Sequence, residues 1–285
     1  MHLLRLLVVA VLAFMGCSAA AQPGAVMGDG HVAIPGPNGI TLRALLLPAQ
    51  SGEPGVPVLA FHGCGGLGRA DRPIRLPARE RDWATRLTAL GHPVLFVDSY
   101  GSRGRREACE GGSRGVEPET VRRADALAAA NWASGQPWAE PGGVVLLGWA
   151  HGGSAVISAA APPLPEGAIR GVIAFYPGCN RLLQDAPEWQ AAVPLLMLLG
   201  EADDWMAARY CQRLAGRAPN NVDVVVYPGA HHGFDAANAP LRERMGLAGT
   251  SRGGGVATTG TDPAARADSL RRVPEFIAGL RPVGG

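Results

Sequence analysis

The residues that most constrain this chain run from Val144 to Val156 and read Val-Val-Leu-Leu-Gly-Trp-Ala-His-Gly-Gly-Ser-Ala-Val. Four apolar residues predict a short buried strand, Gly148 to Gly152 a sharp turn, and the small and apolar residues beyond it the start of a helix. That is the form of a GxSxG elbow, which lifts one side chain above the end of a parallel sheet and needs glycines where a bulkier residue would block the strained turn. The raised position is Ala150. The elbow thus has its frame but no nucleophilic atom at its tip.

Length and composition bound the rest. The 285 residues, 47% hydrophobic and 18% charged, fit one α/β domain with a large core better than two small ones. All 26 basic residues are arginine, and the net charge is only +2. A nucleic-acid binder would gather its basic residues on one face or stripe. The densest run, Arg69, Arg72, Arg75, Arg79 and Arg81, is broken by Asp71, Glu80 and Asp82 and reads as a solvated face. No nucleic-acid partner is expected.

Residues 1–21 read as a signal peptide, with His2 and Arg5 near the start, an apolar run from Leu6 to Met15, and Ala19-Ala20-Ala21 as a small-residue cleavage site before Gln22. The run is too short for a permanent membrane span. Residues 22–285 are therefore expected as one domain, exported to the periplasm or secreted. Lipoprotein anchoring at Cys17 is the alternative, although Phe14 stands where a lipobox usually has Leu. The mature chain keeps Cys64, Cys109, Cys179 and Cys211, and an even count in an exported chain favours disulfides, with three possible connectivities. Cys64 with Cys109 and Cys179 with Cys211 is the preferred pairing, because each pair falls on loops above the same half of the sheet derived below. Four unpaired thiols are the alternative. No pair has a CxxC spacing, so zinc is not expected.

Along the chain, residues 22–30 read as a flexible arm, and His31 to Ile34 and Ile40 to Leu47 as an antiparallel pair of edge strands. Val56 to Phe61 is a buried strand that feeds the loop His62-Gly63-Cys64-Gly65-Gly66. Ala78 to Leu90 is an amphipathic helix with Trp83, Leu87 and Leu90 on one stripe, and Glu117 to Ala133 is a second helix. Further strands are expected over Pro93 to Val97, Ile169 to Tyr176, Val193 to Leu199 and Val222 to Tyr227, with a helix over Ala207 to Ala218. Gly246 to Gly260 reads as a mobile glycine- and threonine-rich segment. Asp262 caps a last helix that starts at Pro263 and buries Leu270, Val273, Phe276, Ile277 and Leu280. Strands alternating with helices at this spacing predict a mostly parallel, doubly wound α/β sheet flanked by helices.

Ligands of such a sheet bind at the carboxyl ends of its strands. Ala150, Asp203 and His232 each follow a strand there, in the order nucleophile position, acid, histidine. The order has a chemical meaning: a hydroxyl is a poor nucleophile until a histidine takes its proton, and the histidine needs a carboxylate to fix its tautomer. From about Val56 to Phe234 the chain resembles the dienelactone hydrolase family of the α/β-hydrolase superfamily, in particular its exported members with a His-Gly-Cys-Gly-Gly loop. The likeness rests on residues 62–66, on Gly148-Trp149-Ala150-His151-Gly152-Gly153, on Gly200-Glu201-Ala202-Asp203 and on Ala230-His231-His232-Gly233-Phe234.

The resemblance implies an α/β-hydrolase fold and an ester or lactone hydrolase acting through an acyl-enzyme, with Asp203 as acid and His232 as base. It also implies an oxyanion hole from the backbone N–H groups of His151 and a residue near Cys64. The family carries Cys or Ser where this chain has Ala150, so the chain is expected to be nearly inert. The alternative is a pseudo-hydrolase that binds an ester, lactone or peptide without turning it over. Asp204 and His231 are the rival acid and base, but Asp203 keeps the Gly-x-x-Asp spacing and only His232 precedes Gly-Phe. Trp149 and Trp205 are candidate pocket walls and Arg103 a candidate for a substrate carboxylate, with core filling and a salt bridge as their plainer roles. Ser154, Cys64 and His151 are the other side chains that could stand in for the nucleophile, and Ser154 should lie one helical turn below the tip. No cofactor is expected, and no HxxxH-like spacing supports a metal.

Overall fold

Short strands, most of them buried on both faces, set the architecture. In the computed structural model, which describes residues 29–112 and 114–283, β1 (His31–Pro35) and β2 (Thr41–Leu47) pair at one edge. They are followed by β3 (Val58–Phe61), α1 (Ala78–Ala89), β4 (Val94–Asp98), α2 (Arg123–Ala133), β5 (Val144–Trp149) and α3 (His151–Ala159). Next come β6 (Ile169–Phe175), α4 (Asn180–Asp185), β7 (Leu195–Gly200), α5 (Ala208–Ala215) and β8 (Val222–Tyr227). A small hairpin of β9 (Arg242–Arg244) and β10 (Ala257–Thr259) precedes the last helix, α6 (Pro263–Gly279). The anticipated signal peptide, Cys17 and the start of the arm lie outside the described residues.

The main sheet has the order β1-β2-β4-β3-β5-β6-β7-β8. Its first two pairings are antiparallel and the other five parallel. Successive strand residues point to opposite faces, and both faces are covered. Leu59, Phe61, Leu95, Val97 and Leu146 pack towards α2 and α3, whereas Val58, Ala60, Val94, Phe96 and Leu147 pack towards α1 and α6. Asp262 caps α6 as the sequence predicts, its carboxylate accepting from the Ala265 N–H at 2.8 Å with Pro263 at the first helical position. Among the described residues no helix is long and apolar enough to cross a membrane.

Several expectations are corrected. Leu90 is 56% exposed rather than on the buried stripe, because α1 ends at Ala89 and the chain turns away there. The helix expected from Glu117 opens with a wider π-type turn over Pro118–Arg122. Six-residue α4 is too short to leave a periodic signal. The segment read as mobile contains β10 and is fastened to the body: Ala248 N–H donates to Cys109 O at 2.7 Å, Ser251 N–H to Trp205 O at 2.9 Å, and Gly260 N–H to His232 O at 3.1 Å. Its pairing partner is the Arg-Glu-Arg of β9, so neither strand carries an apolar pattern of its own.

Candidate active site

The elbow forms where β5 runs into α3. Ala150 has φ +50° and ψ −114°, a conformation that costs a non-glycine residue about 1–3 kcal/mol. Contacts on both sides hold it there. The Ala150 N–H donates to Phe175 O at 3.0 Å, and its carbonyl accepts from the Ser154 N–H at 2.8 Å. Gly152 has to be glycine because a Cβ there would overlap the Phe61 carbonyl, and a Cβ on Gly148 would overlap the backbone of Gly152. Ser154 lies below the tip and is fully engaged, its hydroxyl donating to Ala150 O at 3.3 Å and accepting from the Gly178 N–H at 2.8 Å.

Asp203 follows β7 and His232 follows β8. Their side chains meet, His232 Nδ1 to Asp203 Oδ2, at 2.8 Å. The other carboxylate oxygen accepts from the Trp205 and Met206 N–H groups at 2.9 and 2.8 Å. An acceptor on Nδ1 places the proton there and leaves Nε2 free as a base. The rival residue Asp204 is occupied elsewhere: it accepts from the Thr258 N–H at 2.7 Å and ties down the hairpin. Aromatic rings hold the imidazole laterally, with Tyr176 at 4.5 Å and Trp205 at 4.8 Å between centroids.

Ala150 and His232 line one cavity of about 390 Å³ with Cys64, Arg79, Trp205 and Arg244. In its lining the Cys64–Cys109 disulfide joins the loop after β3 to the loop after β4. Ala108 N–H reinforces this link by donating to Cys64 O at 2.8 Å. The second disulfide is Cys179–Cys211, between α4 and α5. Among the described residues the N–H groups of Cys64 and His151 have no backbone acceptor, and His151 is the first residue of α3, where the helix supplies none. His62 props the same loop from below. Its Nδ1–H donates to Gly63 O at 2.7 Å, and the buried Arg122 donates to His62 O at 2.7 Å.

The structure does not bring every candidate to this cavity. Trp149 is fully buried and points away from it, its indole N–H donating to Asp235 at 2.8 Å, so it serves the core. Arg103 forms a two-point ion pair with the buried Asp125 at 2.7 and 2.8 Å and is not available to a substrate carboxylate. The His151 ring faces a second cavity of about 510 Å³ on the other side of Trp205. It shares a hydrogen bond with the Tyr100 hydroxyl at 3.0 Å. Burial, followed by the charge of Arg122, pushes the His151 pKa down to about 3, so the ring is neutral at ordinary pH.

Arg79, which the sequence reads as part of a solvated face, is a correction: its side chain is largely buried and lines the cavity. Its guanidinium stacks over Trp149 at 5.1 Å, pairs with Glu80 and donates to the Tyr176 hydroxyl at 2.8 Å. Burial opposes its charge, but Glu80, Tyr176 and Asp235 outweigh burial and raise its pKa above the usual value. Arg242 and Arg244 of the hairpin were likewise missed, since only tertiary pairing swings them over the cavity. Asp235, directly after the His-Gly-Phe motif, is visible in the sequence, but its three donors are not.

An uncharacterised protein of Mycobacterium tuberculosis (strain H37Rv) is 31% identical to this chain over 211 residues, 68% of this chain and 69% of that protein. Among solved structures, a dienelactone hydrolase-like promiscuous phosphotriesterase from metagenomic libraries superposes with a TM-score of 0.64 at 20% identity, covering 88% of this chain and 97% of that one. The esterase 2 of Thermogutta terrifontis, phosphonylated by cyclosarin, superposes with a TM-score of 0.61 at 17% identity, covering 92% and 97%. These likenesses carry the α/β-hydrolase fold. The dienelactone hydrolase family matches residues 45–280, and the chain belongs to that family.

Proposed function

We propose that the site is that of an exported ester or lactone hydrolase working through an acyl-enzyme, with Ala150 standing where the attacking atom would be. One observation carries the reading: an imidazole already paired with a buried carboxylate shares its cavity with the tip of the elbow. With Ser at position 150, His232 Nε2 takes the hydroxyl proton while the oxygen attacks the carbonyl carbon. The oxyanion that forms accepts from the N–H groups of His151 and Cys64. Protonated His232 then gives its proton to the departing alkoxide, and water, activated in the same way, releases the acid.

Ala150 has neither the proton nor the lone pair for the first step. Loss of such a nucleophile lowers kcat by about 10⁶-fold and leaves about 10³ to 10⁴ over water from binding and the oxyanion hole. The chain as it stands is accordingly nearly inert. In this reading Trp205 walls the pocket, the substrate is a small ester or lactone, and no cofactor takes part. Residues 1–21 are the leader and residues 22–285 one domain, and two disulfides suit an oxidising compartment. Ala150 itself favours a second reading, a protein that binds such a ligand without turning it over. The retained Asp203–His232 pair speaks against it, since binding alone has no chemical use for a positioned base.

Ala150→Ser tests the two readings against each other, with a short-chain aryl ester as substrate and a fluorophosphonate as covalent label. Turnover and labelling at position 150 in the Ser form, with neither in the parent, are expected. A Ser form that neither turns over nor labels would leave the binding reading as the better account.

A further inference from the structure

Asp235 lies three residues beyond His232 and is fully buried. Among the described residues no cation touches its carboxylate. Three neutral donors meet it instead: the indole N–H groups of Trp83 and Trp149, each at 2.8 Å, and the Tyr176 hydroxyl at 2.5 Å. Leaving water is expensive for a carboxylate even with the charge of Arg79 close by, and a well-packed apolar side chain would fill the same space at lower cost. What the carboxylate achieves is connection. Trp149 immediately precedes Ala150, so one group ties the elbow to the loop that carries His232.

Tyr176 adds a second tie. Its ring packs on the His232 imidazole at 4.5 Å, and its hydroxyl both donates to Asp235 and accepts from Arg79 at 2.8 Å. Tyr176 is held at φ +36°, a strained value for a residue with a large side chain, and the strain persists because contacts on both sides fix it. Arg79 in turn lines the cavity beside Ala150. Elbow, histidine ring and cavity cation are thus linked through the carboxylate of one residue.

We propose that Asp235 is a positioning residue, whose carboxylate sets the distance and orientation between position 150 and the His232 imidazole through Trp149 and Tyr176. The inference rests on His232 being the general base of the preceding section. A purely structural role would act through stability alone. A positioning role moves the alignment of the two groups even where the fold is intact.

Asp235→Asn keeps the shape but leaves one accepting oxygen, which cannot serve three donors. Placed in the Ala150→Ser form, it is expected to lower kcat and the rate of fluorophosphonate labelling together by about 100-fold, with KM little changed. Trp83→Phe removes a donor from the same carboxylate on α1 and is expected to lower stability but not the labelling rate. Should Asp235→Asn fail to fold, Tyr176→Phe is read in the same way. In the parent chain, with Ala150, the low-field NMR signal of the proton on His232 Nδ1 is expected to shift with Asp235→Asn and to stay in place with Trp83→Phe. An unchanged labelling rate in Asp235→Asn, or an equal loss in Trp83→Phe, overturns the proposal. If Ala150→Ser itself never labels, the hydrolase reading falls, and the NMR signal alone decides whether Asp235 positions His232.

Discussion

The elbow and the histidine loop face each other across one cavity and are held in place by different means. Ala150 is fixed by its neighbours in sequence and by the strands on either side: Gly148 and Gly152 let backbones touch, and Phe175 O takes the Ala150 N–H. The loop around His232 rests on partners that arrive from far along the chain. Asp203 holds the imidazole, Thr259 of β10 bridges to His232, and Asp235 reaches Trp83 on α1 and Trp149 on β5. A change at the elbow tip therefore removes an atom without moving the frame, whereas a change among the loop's partners moves an imidazole that is still present. That difference explains how a chain can keep a built site around a position with no nucleophile.

The largest effect that would sharpen this contrast is expected from Asp203→Asn in the Ala150→Ser form. The amide favours the wrong tautomer of His232, and kcat should fall by about 10⁴-fold with little change in KM. A loss below tenfold would mean that the loop positions its imidazole without the carboxylate.

The two disulfides give a second, smaller test. Replacing both cysteines of either bridge by Ala should lower the unfolding free energy by about 2–4 kcal/mol, read from urea midpoints, since the bridges span 45 and 32 residues of chain. Only removal of Cys64–Cys109, which walls the cavity and steadies the Cys64 N–H, should also lower the kcat of the Ser form. Equal losses from both pairs would show that the cavity wall beside the elbow does not depend on its staple.

The third effect is a slope that builds only as the pH falls. The folded pKa of His151, at about 3, lies below the unfolded value, so the unfolded chain binds the proton first as pH falls. Its contribution is intact above about pH 6.5 and drains towards pH 3, at up to about 1.4 kcal/mol per pH unit. His62, buried with its pKa also well below normal, acts in the same direction. His151→Gln should flatten the fall in urea midpoint between pH 6.5 and 4; an unchanged slope would show that the ring at the elbow carries no such penalty.

Much of the site could be read before the fold was seen, and particular residues show why. Ala150 was visible because strand, glycine turn and helix are contiguous, and Asp203 and His232 because each follows its own apolar strand by a fixed few residues. The substrate-facing residues read less well. Trp149 and Arg103 looked available from their loops, but Asp235 and Asp125, distant in sequence, hold them. Arg79, Arg242 and Arg244 looked like ordinary surface charge, and the hairpin that brings two of them over the cavity pairs strands twelve residues apart, neither with a pattern of its own.

The sequence by itself determined the alternation of strand and helix, the glycine-built elbow, the cap of α6 and the order in which acid and histidine follow the elbow. These are local matters, set by side-chain period and by where a Cβ fits. Only the tertiary structure decided which side chains reach the cavity, that Asp203 rather than Asp204 meets His232, and that Asp235 gathers three donors around the elbow. Those outcomes depend on which strands become neighbours in the sheet, and burial then obliges each polar group to find its partner across that distance.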